Sequence, residues 1–197
     1  MTGHTQEYIE DGLLLRDAIL NFKSAHFGIF NEKFVELFLR YYGLVVESSD
    51  NSSYDRKIDE SNDEIKGARA YEKLPTMNFI DESTIYETAI KYGIHELKPF
   101  DKRDESNWDC NIQQVKPELF ENLYYSLYFW DKVLIFKVSR DEVLNDKELS
   151  YYDKQHRGNE GEGQFHIKND KIEHHISNYL LGELTYRELY KLLNNEL

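Results

Sequence analysis

Apolar residues in the first 43 positions recur at helical spacing and predict two helices. The repeats are Leu15, Ile19 and Phe22 in the first run, and Phe34, Leu37, Phe38 and Tyr41 in the second. Asn31 is suited to cap the second helix, and Gly43 is suited to end it. We therefore predict a helical N-terminal part over residues 1–43.

The centre of the chain alternates polar turns with apolar runs. We predict strands at 44–46, 93–100, 108–116 and 132–138, with 93–100 and 108–116 forming a hairpin. Pro117 stands where a helix can begin, and the run ELFENLYYSLYF behind it predicts a buried helix. A strand, a helix and a strand in this order indicate a parallel crossover.

Other segments are polar or ambiguous. Residues 47–63 predict a loop, and 64–73 fit either a strand or a helix. After a glycine-rich stretch, the tail is predicted to be helical, and Thr185 with Glu188 forms a capping box. The prediction is one α+β domain with a mixed central sheet flanked by helices: helical over 1–43, core over 44–138, and loop, short strand and C-terminal helices over 139–197.

Composition narrows the class of protein. With 197 residues, 40% of them hydrophobic, the chain can bury a core. A single cysteine excludes an internal disulfide framework, and we see neither a signal-peptide pattern nor an apolar run of membrane-spanning length. We therefore expect a cytoplasmic protein without a membrane partner.

The net charge of −13 bears on function. A passive nucleic-acid binder usually presents a basic surface, which this composition does not favour. A metal-dependent nuclease meets that objection in part, because clustered carboxylates hold the cation that faces the phosphate.

The strongest candidate chemistry lies in the predicted hairpin. Alternation in a strand places Gln114 and Lys116 on one face, and the hairpin register sets Glu96 opposite Gln114. Asp109, on the same strand as Gln114, is the second choice for the acid. The competing interpretation of Gln114 and Lys116 is the solvent face of an edge strand.

The order of elements around residues 93–138, with this residue set, resembles the PD-(D/E)XK nucleases. That family places an acid on the first strand of a hairpin, and a Glu and a Lys separated by one residue on the second. Gln114 in place of Glu departs from the pattern. The resemblance implies a restriction-endonuclease-like core and a Mg²⁺ site in which Glu96, Gln114 and Asp109 are the candidate metal ligands. Lys116 would then act on the attacking water and the phosphorane.

Two other triplets, Glu96-Leu97-Lys98 and Glu64-Ile65-Lys66, have the acid-x-Lys pattern. If Glu64 and Lys66 are the catalytic pair, Asp55 would be the preceding acid, and the site moves to the other side of the hairpin. Alternatively, Glu64 adds a ligand to the first site. The competing interpretation is a pair of solvated surface charges.

DNA contacts have two candidate sources. One is the loop containing Gln155, His156, Arg157 and Asn159, whose side chain types bind base edges, with Gly158, Gly161 and Gly163 allowing close approach to a ligand. The other is Lys66 and Arg69, which are either phosphate contacts or ordinary surface charges. The loop is equally compatible with a polar hairpin turn.

The resemblance implies a type II restriction-like endonuclease that cuts double-stranded DNA with Mg²⁺ as a homodimer, one site per subunit. Two alternatives stay open. One is a non-catalytic acidic α/β interaction module, such as one encoded by a phage or mobile element, and the other is a nuclease-fold DNA repair enzyme.

Overall fold

The computed structural model describes residues 12–48, 54–72, 99–154 and 160–197. Its α-helices are α1 (Leu13–Asn21), α2 (Ser24–Tyr41), α3 (Arg140–Asn145), α4 (Ile172–Tyr179) and α5 (Tyr186–Leu193). Its strands are β1 (Val46–Ser48), β2 (Arg56–Ile58), β3 (Ser61–Arg69), β4 (Tyr71–Glu72), β5 (Trp108–Val115), β6 (Asn122–Tyr128), β7 (Lys132–Ser139), β8 (Tyr152–Lys154), β9 (Glu160–Ile167) and β10 (Leu180–Thr185). Two 3-10 helices span Phe100–Glu105 and Pro117–Leu119. None of the described helices is long and apolar enough to cross a membrane.

The strands form two sheets. The larger is mixed and has the order β1-β2-β3-β6-β7-β10, in which only β3 and β6 pair in parallel. The smaller has the order β4-β5-β9-β8 and is antiparallel. The predicted fold class, a mixed central sheet flanked by helices, is confirmed.

Two hydrophobic cores cover the two faces of the larger sheet. On one face, α1, α2 and α5 pack against residues such as Ile65, Tyr124 and Tyr128. On the other face, the small sheet and α4 pack against residues such as Leu123 and Leu127. β6 lies in the middle of this arrangement, and every residue from Leu123 to Tyr128 is buried.

The predicted helix over ELFENLYYSLYF is therefore wrong: it is the 3-10 turn and strand β6. A strand that is buried on both faces has a continuous apolar run, which resembles a buried helix in sequence. The predicted crossover at 108–138 is also wrong, because β6 and β7 are antiparallel neighbours. The strands at 108–116 and 132–138 are confirmed as β5 and β7.

Two N-terminal helices are confirmed, but the cap predicted at Asn31 is wrong because α2 begins at Ser24. Asn31 is buried within α2, and its side chain oxygen accepts hydrogen bonds from the hydroxyls of Ser126 and Tyr128. An amide inside the core needs such partners. Gly67 of β3 packs against this amide, and a Cβ atom at that position would lie 2.6 Å from the Asn31 side chain.

The polar segment predicted as a loop over 47–63 contains β2 and the start of β3, which form a hairpin. Asp59 and Glu60 both have positive φ and form a two-residue turn, with Ile58 paired to Ser61. The Asp59 carboxylate accepts a hydrogen bond from the Val45 N–H at 2.9 Å, which fixes the turn against the chain before β1. The C-terminal capping box of Thr185 and Glu188 is confirmed at α5.

Candidate active site

A cleft of about 160 Å³ opens where the hairpin of the larger sheet faces the end of β5. Its lining residues are Asp55, Glu64, Lys66, Gln114, Lys116, Leu119 and Glu162. The two candidate triplets of the sequence, one ending at Lys66 and one at Lys116, thus meet in one place. We call this feature the carboxylate cleft.

Strand alternation places Glu64 and Lys66 in the cleft. Ile65, between them, packs into the core on the helix side, whereas Ala68 packs into the core on the side of the small sheet. Glu64 and Lys66 share the orientation of Ala68, because side chains two residues apart lie on the same face. They therefore point towards β5.

Asp55 reaches the same point from the start of β2. Its Oδ2 accepts a hydrogen bond from the Ile65 N–H at 2.8 Å, and the Lys66 Nζ lies 3.6 Å from it. Lys66 also donates to Glu64 Oε1. One ammonium thus contacts two carboxylates contributed by the two strands of a single hairpin.

Helix α2 holds the base of this arrangement through Arg56. The Arg56 Nε donates to Glu36 Oε2 at 3.1 Å, and its Nη2 lies 3.8 Å from Glu32 Oε2. The guanidinium also donates to the Asp55 carbonyl at 2.5 Å. Arg56 therefore ties the backbone of Asp55 to the helix.

The charges in the cleft shift one another's pKa values. Burial raises the pKa of the Glu64 carboxyl. The Lys66 ammonium acts against this shift, whereas the carboxylates of Asp55 and Glu32 add to it. Burial alone would lower the pKa of Lys66, but Glu64 and Asp55 outweigh it and raise that pKa. Burial and then the Asp55 carboxylate raise the pKa of Glu32. Lys66 is consequently charged at neutral pH.

The opposite wall comes from the small sheet. Lys116 Nζ lies 3.0 Å from Glu162 Oε1. Gln114 stands in a β-bulge, with φ of 59°, between residues that pair with β9. Both Gln114 and Lys116 line the cleft, and Val115 between them is fully buried, which agrees with their predicted placement on one face. The bulge displaces the ladder at Gln114 without separating the two side chains.

The remaining predicted residues lie elsewhere. Asp109 is five residues from Gln114, about 17 Å along the strand, and accepts from His166 at 2.9 Å. Arg69 donates to the Ile19 and Phe22 carbonyls and lies over the Phe27 ring, so it packs α1 and α2 onto β3 and is not a surface contact for DNA. Glu96, Gln155, His156, Arg157 and Asn159 lie outside the described residues.

Gly163, predicted to allow close approach of a ligand, instead accommodates a neighbour. A Cβ atom there would lie within 2.3 Å of the Tyr151 ring, whose hydroxyl donates to the Val115 carbonyl at 3.3 Å. The glycine thus makes room for the side chain that supports the bulge.

Sequence reasoning underrated Asp55 and Glu162. Asp55 sits in a polar segment without an apolar pattern, so only the acid-x-Lys triplet that follows it pointed there. Glu162 belongs to a glycine-rich run that indicated a loop. Comparison with protein-family models, with curated proteins and with solved structures gives no match to this chain.

Proposed function

We propose that this protein is a divalent-metal-dependent nuclease whose site is formed by Asp55, Glu64 and Lys66. The observation that carries the proposal is the convergence of these side chains on the hairpin of β2 and β3. An acid at the first strand and Glu-x-Lys on the second is the arrangement of the PD-(D/E)XK family. The resemblance thus applies to residues 55–66, with Glu present where the other triplet has Gln.

The residues present fit a hard cation. Mg²⁺ prefers oxygen ligands, is usually bound by one or two carboxylates, and keeps several waters. Among the described residues no group of three or more His, Cys, Asp or Glu side chains is arranged to hold a metal. Asp55 and Glu64 would supply the two carboxylate ligands, with the Gln114 amide oxygen available across the cleft.

The charge balance of the cleft supports this assignment. Its three carboxylates and two ammonium groups sum to −1. A bound divalent ion changes that sum to +1, which attracts a phosphodiester. A protein with a net charge of −13 can in this way still bind a polyanion at one point.

When bound, the cation would polarise a phosphoryl oxygen and lower the pKa of a bound water. Lys66 is protonated at neutral pH, since its neighbours raise its pKa. We therefore assign its ammonium to stabilisation of the negative charge that develops on the phosphorane, and not to proton abstraction. Arg56 keeps Asp55 in place for the same step.

We extend the proposal to double-stranded DNA as substrate and to a homodimer, as the resemblance implies for a type II restriction-like enzyme. A subunit with one site cuts one strand, so cleavage of both strands at one position requires a twofold pair.

The test is incubation of supercoiled plasmid with the protein and Mg²⁺ or Mn²⁺, compared with Glu64→Gln and Lys66→Met. We expect both variants to lose cleavage, and Glu64→Gln also to lose Mg²⁺ binding in calorimetry. Lys132→Met is the matched control. Lys132 also forms an ion pair, with Glu183 at 3.1 Å, but it lies at the start of β7 and outside the cleft.

The products discriminate between the hypotheses. Discrete linear fragments support restriction, whereas sequence-independent nicking supports a repair enzyme. Absence of both cleavage and Mg²⁺ binding in the wild-type protein would overturn the proposal in favour of the acidic interaction module.

A further inference from the structure

The wall of the carboxylate cleft opposite the hairpin contains a second ion pair that the hydrolytic residues do not use. Lys116 and Glu162 lie 3.0 Å apart, and their side chains retain 37% and 26% exposure. Both line the same cleft as Asp55, Glu64 and Lys66. A solute that enters the cleft therefore meets this pair.

The backbone behind Lys116 is firmly held. Val115 is fully buried, and its carbonyl accepts a hydrogen bond from Tyr151. The Lys116 carbonyl accepts a hydrogen bond from the Leu119 N–H at 2.9 Å, which closes the turn that begins at Pro117. The long lysine side chain thus extends from a fixed base, and only its end has to move for the ammonium to change partner.

From this geometry we infer that Lys116 binds a non-bridging oxygen of the nucleic-acid backbone, and that Glu162 takes the place of that phosphate in the free protein. The inference rests on the proposed function. A carboxylate and a phosphate both offer anionic oxygens to an ammonium, which binds them as a point charge. Entry of the substrate would exchange one anion for the other.

The lining of the cleft agrees with a phosphodiester group. The cleft has a volume of about 160 Å³, and six of its seven lining residues are charged or polar, with Leu119 the exception. Such a lining suits a cation and a phosphate better than an apolar base face. Gln114, whose amide can donate to a phosphate or sugar oxygen, completes a wall that contacts the backbone without reading sequence.

The test is the salt dependence of DNA binding. Fluorescence anisotropy of a short fluorescein-labelled duplex, and of its single strand, is measured with Ca²⁺ in place of Mg²⁺ over a range of NaCl concentrations. Gel analysis of the same samples verifies that the DNA stays intact. We expect Lys116→Ala to reduce the slope of log K against log[NaCl] by about 0.9 for duplex or about 0.7 for a single strand, the value of one lost phosphate contact.

Glu162→Gln tests the exchange of partners. We expect it to raise DNA affinity several-fold with the slope unchanged, and to give no gain in a Lys116→Ala background. Lys132→Ala and Glu183→Gln are the matched controls, because that pair has similar geometry and the same charges but lies away from the cleft.

Three results would each overturn the inference: an unchanged slope in Lys116→Ala, weaker DNA binding in Glu162→Gln, or a loss of Mg²⁺ affinity in Glu162→Gln. The third would make Glu162 a metal ligand and not a competitor of phosphate. If the wild-type protein cleaves DNA while any of the three holds, the inference alone fails. If the wild-type protein neither cleaves nor binds DNA, the proposed function fails with it.

Discussion

Replacement of Lys66 by Met is the most informative single change, because it removes the ammonium and keeps most of the aliphatic stem. The Lys66 Nζ lies 3.6 Å from Asp55 Oδ2 and donates to Glu64. At an effective dielectric of ~20, the Coulomb attraction of a charge pair at this distance is about 5 kcal/mol. The cost of removing the ammonium from water offsets part of that attraction.

The loss in the free energy of unfolding should be about 2–3 kcal/mol. Removal of one partner from a buried pair costs about 3–5 kcal/mol. The side chains of Lys66 and Asp55 are 21% and 22% exposed, so we expect a loss below that range. For a chain of 197 residues this lowers Tm by about 5–10 °C. Thermal unfolding followed by circular dichroism measures the shift.

The loss should depend on pH and on metal. Burial already raises the pKa of Glu64, and without Lys66 that pKa rises further. A carboxylate whose folded pKa is raised destabilises the fold as pH increases through that range, and has no such effect below it. The difference between wild type and Lys66→Met should therefore be full at about pH 7 and small at about pH 4.

Mg²⁺ at about 100 times its Kd should restore about 2.7 kcal/mol, because the divalent ion replaces the missing positive charge. At the same Mg²⁺ concentration the gain should be smaller in the wild-type protein, because Lys66 already neutralises the carboxylates and so weakens Mg²⁺ binding. A loss of the same size at all pH values, or no recovery with Mg²⁺, would refute the reasoning. Lys132→Met should show neither effect.

Three further predictions concern the packing, the pH dependence and the backbone of the fold. Gly67→Ala should lower the free energy of unfolding, measured in urea, by about 1–3 kcal/mol, because its Cβ has no room. The control Gly28→Ala should instead stabilise helix α2 by up to about 1 kcal/mol, because nothing lies within 4 Å of a Cβ atom there. Burial lowers the pKa of His175 to about 4, so between pH 6.5 and 4 this histidine is protonated only in the unfolded chain. The wild-type protein should therefore lose up to about 3 kcal/mol of stability over that range as the pH falls. An equally steep profile in His175→Phe would contradict this. The φ of 59° at Gln114 favours glycine, so Gln114→Gly should leave stability unchanged or raise it by up to about 1 kcal/mol. Gln113→Gly, on the same strand, should lower stability. A larger loss in Gln114→Gly than in Gln113→Gly would exclude a strained bulge.

Local patterns in the sequence identified several elements. The amphipathic periods of α1 and α2, the apolar run of β7 and the capping box of α5 were all predicted. The helical periods and the capping box join residues a few positions apart, so the sequence order contains them. The run of β7 was visible in the same way, although its hydrogen bonds connect it to β6 and β10.

Tertiary structure decided the nature of β6 and the location of the site. The run from Leu123 to Tyr128 is a strand because two layers bury both of its faces, and its sequence does not distinguish this from a buried helix. The turn at Asp59 and Glu60 lacks the usual Asn-Gly signature and relies on the contact of Asp59 with Val45.

The carboxylate cleft shows the same division. Its residue types were visible in the sequence as Glu64-Ile65-Lys66 and Gln114-Val115-Lys116, and Asp55 was noted as the acid that would precede the first of them. That Lys66 contacts Asp55 and Glu64, and that Lys116 with Glu162 faces them, depends on the packing of β5 and β9 beside β3. Pairings between strands so distant in sequence arise from burial of shared apolar surface, which no local pattern encodes.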